Sequence, residues 1–212
     1  MGVIFDFNGT LFFDNDKHVK AWSKISEMIR GKATTLDEIH KLNGIPNNVI
    51  IEYFFGHPCS KETLEKYSKL KEEYYRQYCR EDTPSFHLVE GVEEYFQYLV
   101  DHNIPFTIAS ASIKENIDFF VESFGLDQWM DPSMIVFDDG SYVNKIAMFE
   151  EASKRLNVSC QDCLIIEDSM SGIKSAYNCG CKQIVVVNSA NKKEEYELLP
   201  GVIKVIEDFT NM

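Results

Sequence analysis

Three short apolar segments of the sequence end in polar side chains that could act together chemically. Asp6 follows the first segment, Ser110 ends the second, and Glu167 and Asp168 close the third. Three carboxylates in one crevice would repel one another unless a cation lay among them, and hard oxygen ligands on short loops suit Mg²⁺. These residues therefore predict a magnesium site of the kind that also binds a substrate phosphate. Taken alone, Glu167 and Asp168 are also compatible with a plain cap on the next helix.

The pattern of apolar residues predicts the elements that position these side chains. Short, continuous apolar runs indicate buried strands at 3–5, 104–110, 135–137, 164–167, 184–187 and 202–206. Helical spacing marks 91–102, 113–124, 145–156 and 170–179. Apolar strands that alternate with helices are typical of a parallel sheet covered on both faces. Because the carboxyl ends of parallel strands share one edge of the sheet, we expect the candidate residues to converge there.

Residues 14–83 interrupt this alternation with helical patterns alone. Thr35-Leu-Asp-Glu38 is typical of a capping box at the start of a short helix, and Ser60 precedes a long one. One stripe of that long helix is apolar and aromatic, at Leu64, Tyr67, Leu70, Tyr74 and Tyr78. We therefore expect an α/β core formed by 1–13 and 84–212, with 14–83 inserted as a helical domain.

Composition disfavours several classes of partner. The 212 residues carry a formal net charge of −13, which disfavours nucleic acids and anionic membranes. No stretch approaches the roughly 20 apolar residues of a membrane span, and Met1 leads into a strand pattern rather than a signal peptide. We expect a cytoplasmic protein that is a monomer or a weak dimer.

The cysteines offer two interpretations. Cys160-Gln-Asp-Cys163 and Cys179-Gly-Cys181 together resemble a zinc site. However, the second pair lacks the usual two-residue spacing and lies where a helix ends at Gly180. Free buried thiols are therefore the favoured interpretation.

Three motifs resemble those of the haloacid dehalogenase superfamily of phosphotransferases. Asp6-Phe-Asn-Gly-Thr10 resembles its first motif, Asp-x-Asp-Gly-Thr, with Asn8 in place of the second Asp. Ile108-Ala-Ser-Ala-Ser112 resembles the second motif, and Glu167-Asp-Ser-Met-Ser-Gly-Ile173 resembles the fourth. His18-Val-Lys-Ala-Trp22 is similar to the first cap helix of the beta-phosphoglucomutase branch. The resemblance implies an α/β fold, with a Rossmann-like parallel sheet core and an inserted helical cap domain.

The resemblance also implies roles for individual residues. Asp6 would be the nucleophile that becomes an aspartyl-phosphate. Mg²⁺ would be held by Asp6, the backbone carbonyl of Asn8 and Asp168, with Glu167 binding directly or through water. The Ser110 hydroxyl and the Ala111 backbone N–H would hold the transferring phosphate. Thr10 would support the loop.

The third motif of the branch, Lys-Pro-x-Pro, has no close match. Lys145 in Ser141-Tyr-Val-Asn-Lys-Ile146 is the nearest cation, out of register by about two residues. We predict that Lys145 contacts Asp6 and the phosphate. The alternatives are that Lys145 is a solvated lysine at a helix start, or that Lys114 takes this role.

Asn8 limits the catalysis that the motifs predict. In the superfamily the second Asp protonates the leaving group and then activates water, whereas an amide has no proton to transfer. General acid–base catalysis contributes about 10²–10⁴ in rate, so hydrolysis would be slowed or specialised, for example to substrates with a good leaving group. The Asn8-Gly9 dipeptide also raises the hypothesis that deamidation restores an Asp.

His18 has two interpretations in the inserted domain: it orients Asn8 or a water, or it is an ordinary residue of the first cap helix. The segment 43–47 resembles a substrate-specificity loop, but Asn47 stands where the mutase has a phosphate-binding Arg. Mutase activity therefore ranks below hydrolysis.

The leading prediction is a Mg²⁺-dependent phosphatase of a small phosphorylated metabolite. A catalytically silent relative that binds phosphate or a partner, through the pocket or the tyrosines of the long cap helix, is the main alternative. Sugar phosphomutase and phosphonatase-like hydrolysis are less favoured, and metal-free dehalogenation fits poorly.

Overall fold

A parallel β-sheet forms the centre of the larger part of the structure. The computed structural model describes residues 1–42 and 45–212. Its six-stranded sheet has the order β3-β2-β1-β4-β5-β6, and every neighbouring pair is parallel. The strands are β1 Gly2–Phe5, β2 Phe106–Ile113, β3 Val136–Asp138, β4 Cys163–Glu167, β5 Gln183–Val187 and β6 Val202–Ile206. The predicted α/β class with a parallel sheet is confirmed.

The helices of this unit follow the strands in turn. They are α5 Val92–Asp101, α6 Lys114–Phe124, α7 Lys145–Arg155, α8 Met170–Asn178 and the short α9 Lys193–Glu197. The sequence pattern did not indicate α9, which has only five residues and one buried side chain, Tyr196. β2 also runs to Ile113, three residues past its predicted end at Ser110, with an irregular register against β3 between Ala109 and Ile113.

β1 lies between β2 and β4 and is buried throughout. Val3, Ile4 and Phe5 have no exposed surface, as expected for an apolar strand covered on both faces of a sheet. Because β1, β2 and β4 are adjacent and parallel, the residues that follow them leave the sheet at one edge. Asp6, Ser110 and Glu167 therefore converge through the strand order.

The remaining helices form a second compact unit. The structure divides the chain into an α/β unit, Met1–Phe13 with His87–Met212, and a helical unit, Asp14–Phe86. The helical unit contains α1 Asn15–Arg30, α2 Leu36–Leu42, α3 Asn47–Phe55 and α4 Lys61–Glu81. Its second boundary lies three residues beyond the expected 83, since Ser85 accepts a hydrogen bond from Lys17 and donates one to Asp82 at 2.7 Å.

The core of the helical unit is apolar and lies between α1, α3 and α4. Trp22, Ile25, Ile50, Ile51 and Phe54 are buried there, and Tyr67 and Tyr74 of α4 pack against them. Tyr75 has no exposed surface, and its hydroxyl donates to Asp14 Oδ2 at 2.5 Å. Tyr75 therefore cannot belong to an aromatic contact surface on α4. Among the described residues, no helix has the length and apolar character needed to cross a membrane.

The predicted capping box at the start of α2 is confirmed. Glu38 N–H donates to Thr35 Oγ1 at 3.2 Å, and Thr35 N–H donates to Glu38 Oε2 at 2.9 Å. Arg30 of α1 makes a bidentate contact with the Glu38 carboxylate, with Nη1 2.7 Å from Oε1 and Nη2 2.9 Å from Oε2. This carboxylate therefore joins α1 to α2.

Glu38→Gln is expected to destabilise the helical unit in a pH-dependent way. Hydrogen bonds from Arg30 and then from the Thr35 N–H lower the pKa of Glu38 from 4.5 to about 2. A carboxylate whose pKa falls on folding stabilises the protein above its unfolded-state pKa, and this stabilisation is lost as the pH falls through the folded-state value. The thermal midpoint of Glu38→Gln should lie below that of the native chain at neutral pH, and the difference should close between pH 4.5 and about 2.

Glu65→Gln is the matched control, because Glu65 pairs with Lys61 at 3.5 Å on the exposed surface of α4. Exposed pairs of this kind contribute little to stability. A difference between Glu38→Gln and the native chain that stays constant over this pH range would contradict the pairing.

Candidate active site

Three carboxylates meet at the carboxyl edge of the sheet. Asp6 follows β1 and is buried, and its backbone N–H donates to the carbonyl of Ile166 at 2.9 Å. Glu167 ends β4, and Asp168 is the next residue. One oxygen from each of Asp6, Glu167 and Asp168 lies within 4.8 Å of the others. The structure thus brings together the carboxylates that the strand ends predicted.

Lys145, the first residue of α7, lies against two of these carboxylates. Its ammonium contacts Asp6 Oδ1 and lies 3.3 Å from Glu167 Oε1. Burial by itself lowers the pKa of Lys145, but the charges of Asp6 and Glu167 outweigh burial and raise it above its ordinary value. Lys114 instead pairs with Asp118 at 2.6 Å on the exposed face of α6. The structure therefore places Lys145, rather than Lys114, beside Asp6.

Glu167 is held rigidly by the turn that follows it. Its Oε2 accepts hydrogen bonds from the N–H groups of Asp168 and Ser169, both at 2.7 Å, and from the Ser169 hydroxyl at 3.0 Å. The cap of α8 is Ser169, whose Oγ accepts from the Gly172 N–H at 3.0 Å. A simple helix-capping role for Glu167 and Asp168 is therefore wrong.

Two glycines allow the carboxylates to come this close. A Cβ atom on Gly172 would lie 1.6 Å from Glu167 Oε1, so only glycine leaves room for that carboxylate. Gly9 has a φ of +78°, and a Cβ there would lie 2.2 Å from Asp168 Oδ2. At both motif positions a side chain would clash with a carboxylate of the site, which explains why glycine occupies them.

Asp168 is oriented by two hydroxyl groups. Ser189 Oγ donates to Oδ2 at 2.8 Å, and Thr10 Oγ1 lies 3.5 Å from Oδ1. Thr10 thus contacts Asp168 from the loop after β1. The sequence patterns did not indicate Ser189 as a site residue. Its position just after β5, at the same edge of the sheet, could have indicated it.

The site carries more negative charge than Lys145 neutralises. Burial and then the neighbouring Glu167 and Asp6 raise the pKa of Asp168 to about 8. Burial also raises the pKa of Asp6 to about 7, against the opposing effect of Lys145. A bound cation would favour the ionised form of these carboxylates by offsetting their negative charge. Carboxylate oxygens are also ligands that Mg²⁺ prefers. The residues present therefore fit a magnesium ion.

Asn8 is tied to the end of β2. Its Oδ1 accepts hydrogen bonds from Ser112 Oγ at 2.7 Å and from Ser110 Oγ at 3.3 Å, and Ala111 is exposed between these serines. Ser112 is a site residue that we did not single out, although it lies in the second motif. The Gly9 N–H donates to the Phe12 carbonyl at 2.8 Å, which opposes the attack on Asn8 that deamidation requires.

Comparison with known proteins identifies the family. A model described as "Haloacid dehalogenase-like hydrolase" matches residues 3–186. The chain belongs to this family. A solved structure of a haloacid dehalogenase hydrolase, family IA, variant 3, from Entamoeba histolytica has a TM-score of 0.94 and 34% identity, covering 100% of this chain and 94% of that one.

Two curated phosphatases are also similar in sequence. The chloroplastic 5-amino-6-(5-phospho-D-ribitylamino)uracil phosphatase of Arabidopsis thaliana is 23% identical over 93% of this chain and 52% of its own length. A phosphorylated carbohydrates phosphatase of Thermotoga maritima is 25% identical over 89% of this chain and 86% of its own length. The chain thus spans about half the length of the Arabidopsis relative.

His18 belongs to a polar network within the helical unit of this haloacid dehalogenase-like chain. Its ring stacks on Tyr75 with centroids 4.1 Å apart, and its Nε2 lies 3.2 Å from Asp14 Oδ2. Lys71 Nζ lies 2.9 Å from Nδ1, and because an ammonium only donates, Nδ1 accepts and Nε2–H faces Asp14. His18 is thereby fixed in orientation by its own unit.

The candidate specificity loop is only partly described, because residues 43 and 44 lie outside the described residues. Asn47 begins α3, and its Nδ2 donates to Glu72 Oε1 at 3.2 Å. Glu72 also pairs with Lys71 at 2.8 Å. Asn47 is therefore part of the same polar network as His18.

Gly172→Ala is expected to destabilise the protein, although alanine in a helix ordinarily stabilises by about 0.5–1 kcal/mol relative to glycine. The added Cβ would lie 1.6 Å from Glu167 Oε1 and force this carboxylate from its hydrogen bonds. Overpacking typically costs about 1–3 kcal/mol, so the free energy of unfolding measured with denaturant should fall by about that amount. Ser171→Ala, at the exposed neighbouring position, should change it little. Equal stability of Gly172→Ala and the native chain would contradict this packing.

Proposed function

We propose that this protein is a Mg²⁺-dependent phosphatase of small phosphomonoesters, with Asp6 as the nucleophile. The observation that carries the proposal is the buried cluster in which Lys145 contacts Asp6 and Glu167 while Asp168 lies beside them. The names of the Arabidopsis and Thermotoga relatives, both phosphatases of phosphorylated small molecules, support the same reaction class.

Asp6, Asp168 and the backbone carbonyl of Asn8 are the groups that would hold the ion. Glu167 pairs with Lys145 and accepts hydrogen bonds from the backbone of its own turn. Glu167 would bind the ion directly or through a water. Bound Mg²⁺ would neutralise negative charge shared by the nucleophile and the phosphate.

The chain's own residues divide the reaction into two steps. Asp6 attacks phosphorus and forms an aspartyl-phosphate while the leaving oxygen departs, and water then hydrolyses that acyl phosphate. Lys145 orients Asp6 and offsets the charge of the incoming phosphate. When substrate binds, the Ser110 hydroxyl turns from Asn8 Oδ1 to the transferring group and holds it together with the Ala111 N–H. Thr10 and Ser189 keep Asp168 in place.

Asn8 limits this chemistry to hydrogen bonding. The hydroxyls of Ser110 and Ser112 donate to its Oδ1, and its side-chain amide can exchange hydrogen bonds but has no titratable proton to transfer. An amide N–H stabilises a leaving oxygen but does not protonate it. The favoured substrates are therefore those whose leaving group departs as a stable anion. The same residue favours a second candidate function, a silent relative that binds phosphate without turnover.

A phosphatase screen with Mg²⁺ on three proteins separates these functions. We expect slow turnover by the native chain, none by Asp6→Asn, and a rate raised by about 10²–10⁴ in Asn8→Asp, because Asp restores a proton donor at that position. Activity in Asn8→Asp alone would identify the silent relative. If no protein turned over substrate or bound Mg²⁺, the site assignment would be wrong.

Lysine variants provide the matched control for this screen. Lys145→Ala should lose activity because Asp6 and Glu167 then face each other uncompensated, whereas Lys114→Ala changes only an exposed pair with Asp118. Equal loss in both variants would contradict the role of Lys145.

Aryl phosphates of graded leaving-group acidity test the role of Asn8. Without a general acid, the rate of aspartyl-phosphate formation should fall steeply as the pKa of the departing phenol rises. In Asn8→Asp the same series should give a shallower slope, read from single-turnover release of the phenol. Identical slopes in the two proteins would show that Asn8 does not face the leaving group.

A further inference from the structure

The two reaction steps at Asp6 differ in their need for a proton-transferring group. In the first step the leaving oxygen departs with the electron pair of the broken bond. An alkoxide then needs a proton, whereas a carboxylate is a stable anion without one. In the second step water attacks the aspartyl-phosphate and has to give up a proton to a base. For an acyl phosphate, a site without such a group therefore slows the second step alone.

Asn8 lacks this function, and the end of β2 holds its side chain in place. Asn8 Oδ1 accepts hydrogen bonds from the hydroxyls of Ser112 at 2.7 Å and Ser110 at 3.3 Å. The backbone N–H of Ser112 donates to Ser110 Oγ at 3.2 Å, so the two serines also orient each other. When Ser110 turns to the phosphate, the Ser112 hydroxyl continues to hold Asn8. An amide in this position neither gives nor takes a proton.

The other polar side chains around Asp6 are engaged in contacts of their own. The Lys145 ammonium contacts Asp6 and can only donate. Glu167 accepts three hydrogen bonds at Oε2, and its Oε1 lies 3.3 Å from Lys145. Asp168 is one of the proposed ligands of the ion, and Ser189 donates to its Oδ2 at 2.8 Å. In the described part of the chain, no histidine joins this cluster of carboxylates. Each of these groups would have to give up its contact to act as a general base.

We propose that this protein takes a phosphoryl group from acyl phosphates and holds it as a long-lived aspartyl-phosphate on Asp6. This inference rests on the proposed function, because it requires Asp6 as the nucleophile. An oxygen of Asp6 bonds to phosphorus, the bond between phosphorus and the acyl oxygen breaks, and its electron pair leaves with the carboxylate. No proton moves in this step. Hydrolysis of the aspartyl-phosphate requires water to lose a proton, so it limits the overall rate.

The missing proton transfer sets the size of the effect. General acid–base catalysis contributes about 10²–10⁴ in rate. With an acyl phosphate, the native chain lacks this contribution only in hydrolysis, so the aspartyl-phosphate forms faster than it decays. With an alkyl phosphate, both steps lack the contribution, and formation has no advantage over decay. The fraction of phosphorylated protein therefore distinguishes the two classes of substrate.

Intact-protein mass spectrometry with acetyl phosphate and Mg²⁺ tests the inference. The native chain should gain the mass of one phosphoryl group and keep it when the acetyl phosphate is removed. Hydroxylamine should release the phosphoryl group and leave a hydroxamate, which peptide mapping should locate at Asp6. Ethyl phosphate, an alkyl phosphate, should leave the native chain unmodified.

Two variants give the matched comparison. Asp6→Asn should gain no mass. In Asn8→Asp the aspartyl-phosphate should decay faster than in the native chain by about 10²–10⁴, because Asp can accept a proton from water. The decay is followed by mass after the donor is removed, so the measurement does not depend on turnover.

Two results would overturn the inference and leave the proposed phosphatase standing. One is an equal decay rate of the aspartyl-phosphate in Asn8→Asp and in the native chain. The other is steady release of phosphate from acetyl phosphate by a native chain that stays unmodified. A native chain that neither gains the phosphoryl group nor releases phosphate from any donor would overturn the proposed function as well.

Discussion

The candidate site depends on the balance of charge around Lys145. Three carboxylates lie within 4.8 Å of one another in a buried place, and Lys145 contacts two of them. Removing these charges from water is costly unless each has a partner. One lysine compensates only part of the charge, and burial together with the neighbouring carboxylates raises the pKa values of Asp6 and Asp168. This remaining charge is the physical reason why the site fits a divalent cation.

Close packing of the backbone makes this arrangement possible. Glu167 occupies space that a side chain at Gly172 would fill, and Asp168 occupies the space beside Gly9. The turn after β4 then satisfies Glu167 with three hydrogen bonds from Asp168 and Ser169. The residues that pack the turn after β4 also position the carboxylates. A substitution that changes the packing of this turn therefore displaces the carboxylates directly.

The helical unit shows a different use of polar groups. His18, Lys71 and Glu72 form a chain of contacts that also includes Asn47 and Asp14. Such networks orient side chains with more precision than apolar packing, at the cost of burying charge. Tyr75 lies outside the predicted stripe of its helix, yet it is buried and joins this network through its hydroxyl. Periodicity reports which face of a helix is inside, but it does not report hydrogen bonds.

The sequence by itself determined the α/β class, the strand ends that carry Asp6, Ser110 and Glu167, and the family motifs. These features are local, since apolar runs and turn residues act over a few positions. The tertiary structure decided between Lys145 and Lys114, because a side chain's partner depends on how α6 and α7 pack. It also added Ser112 and Ser189 to the site. These contacts join residues far apart in the chain, and only the order of the strands brings them together.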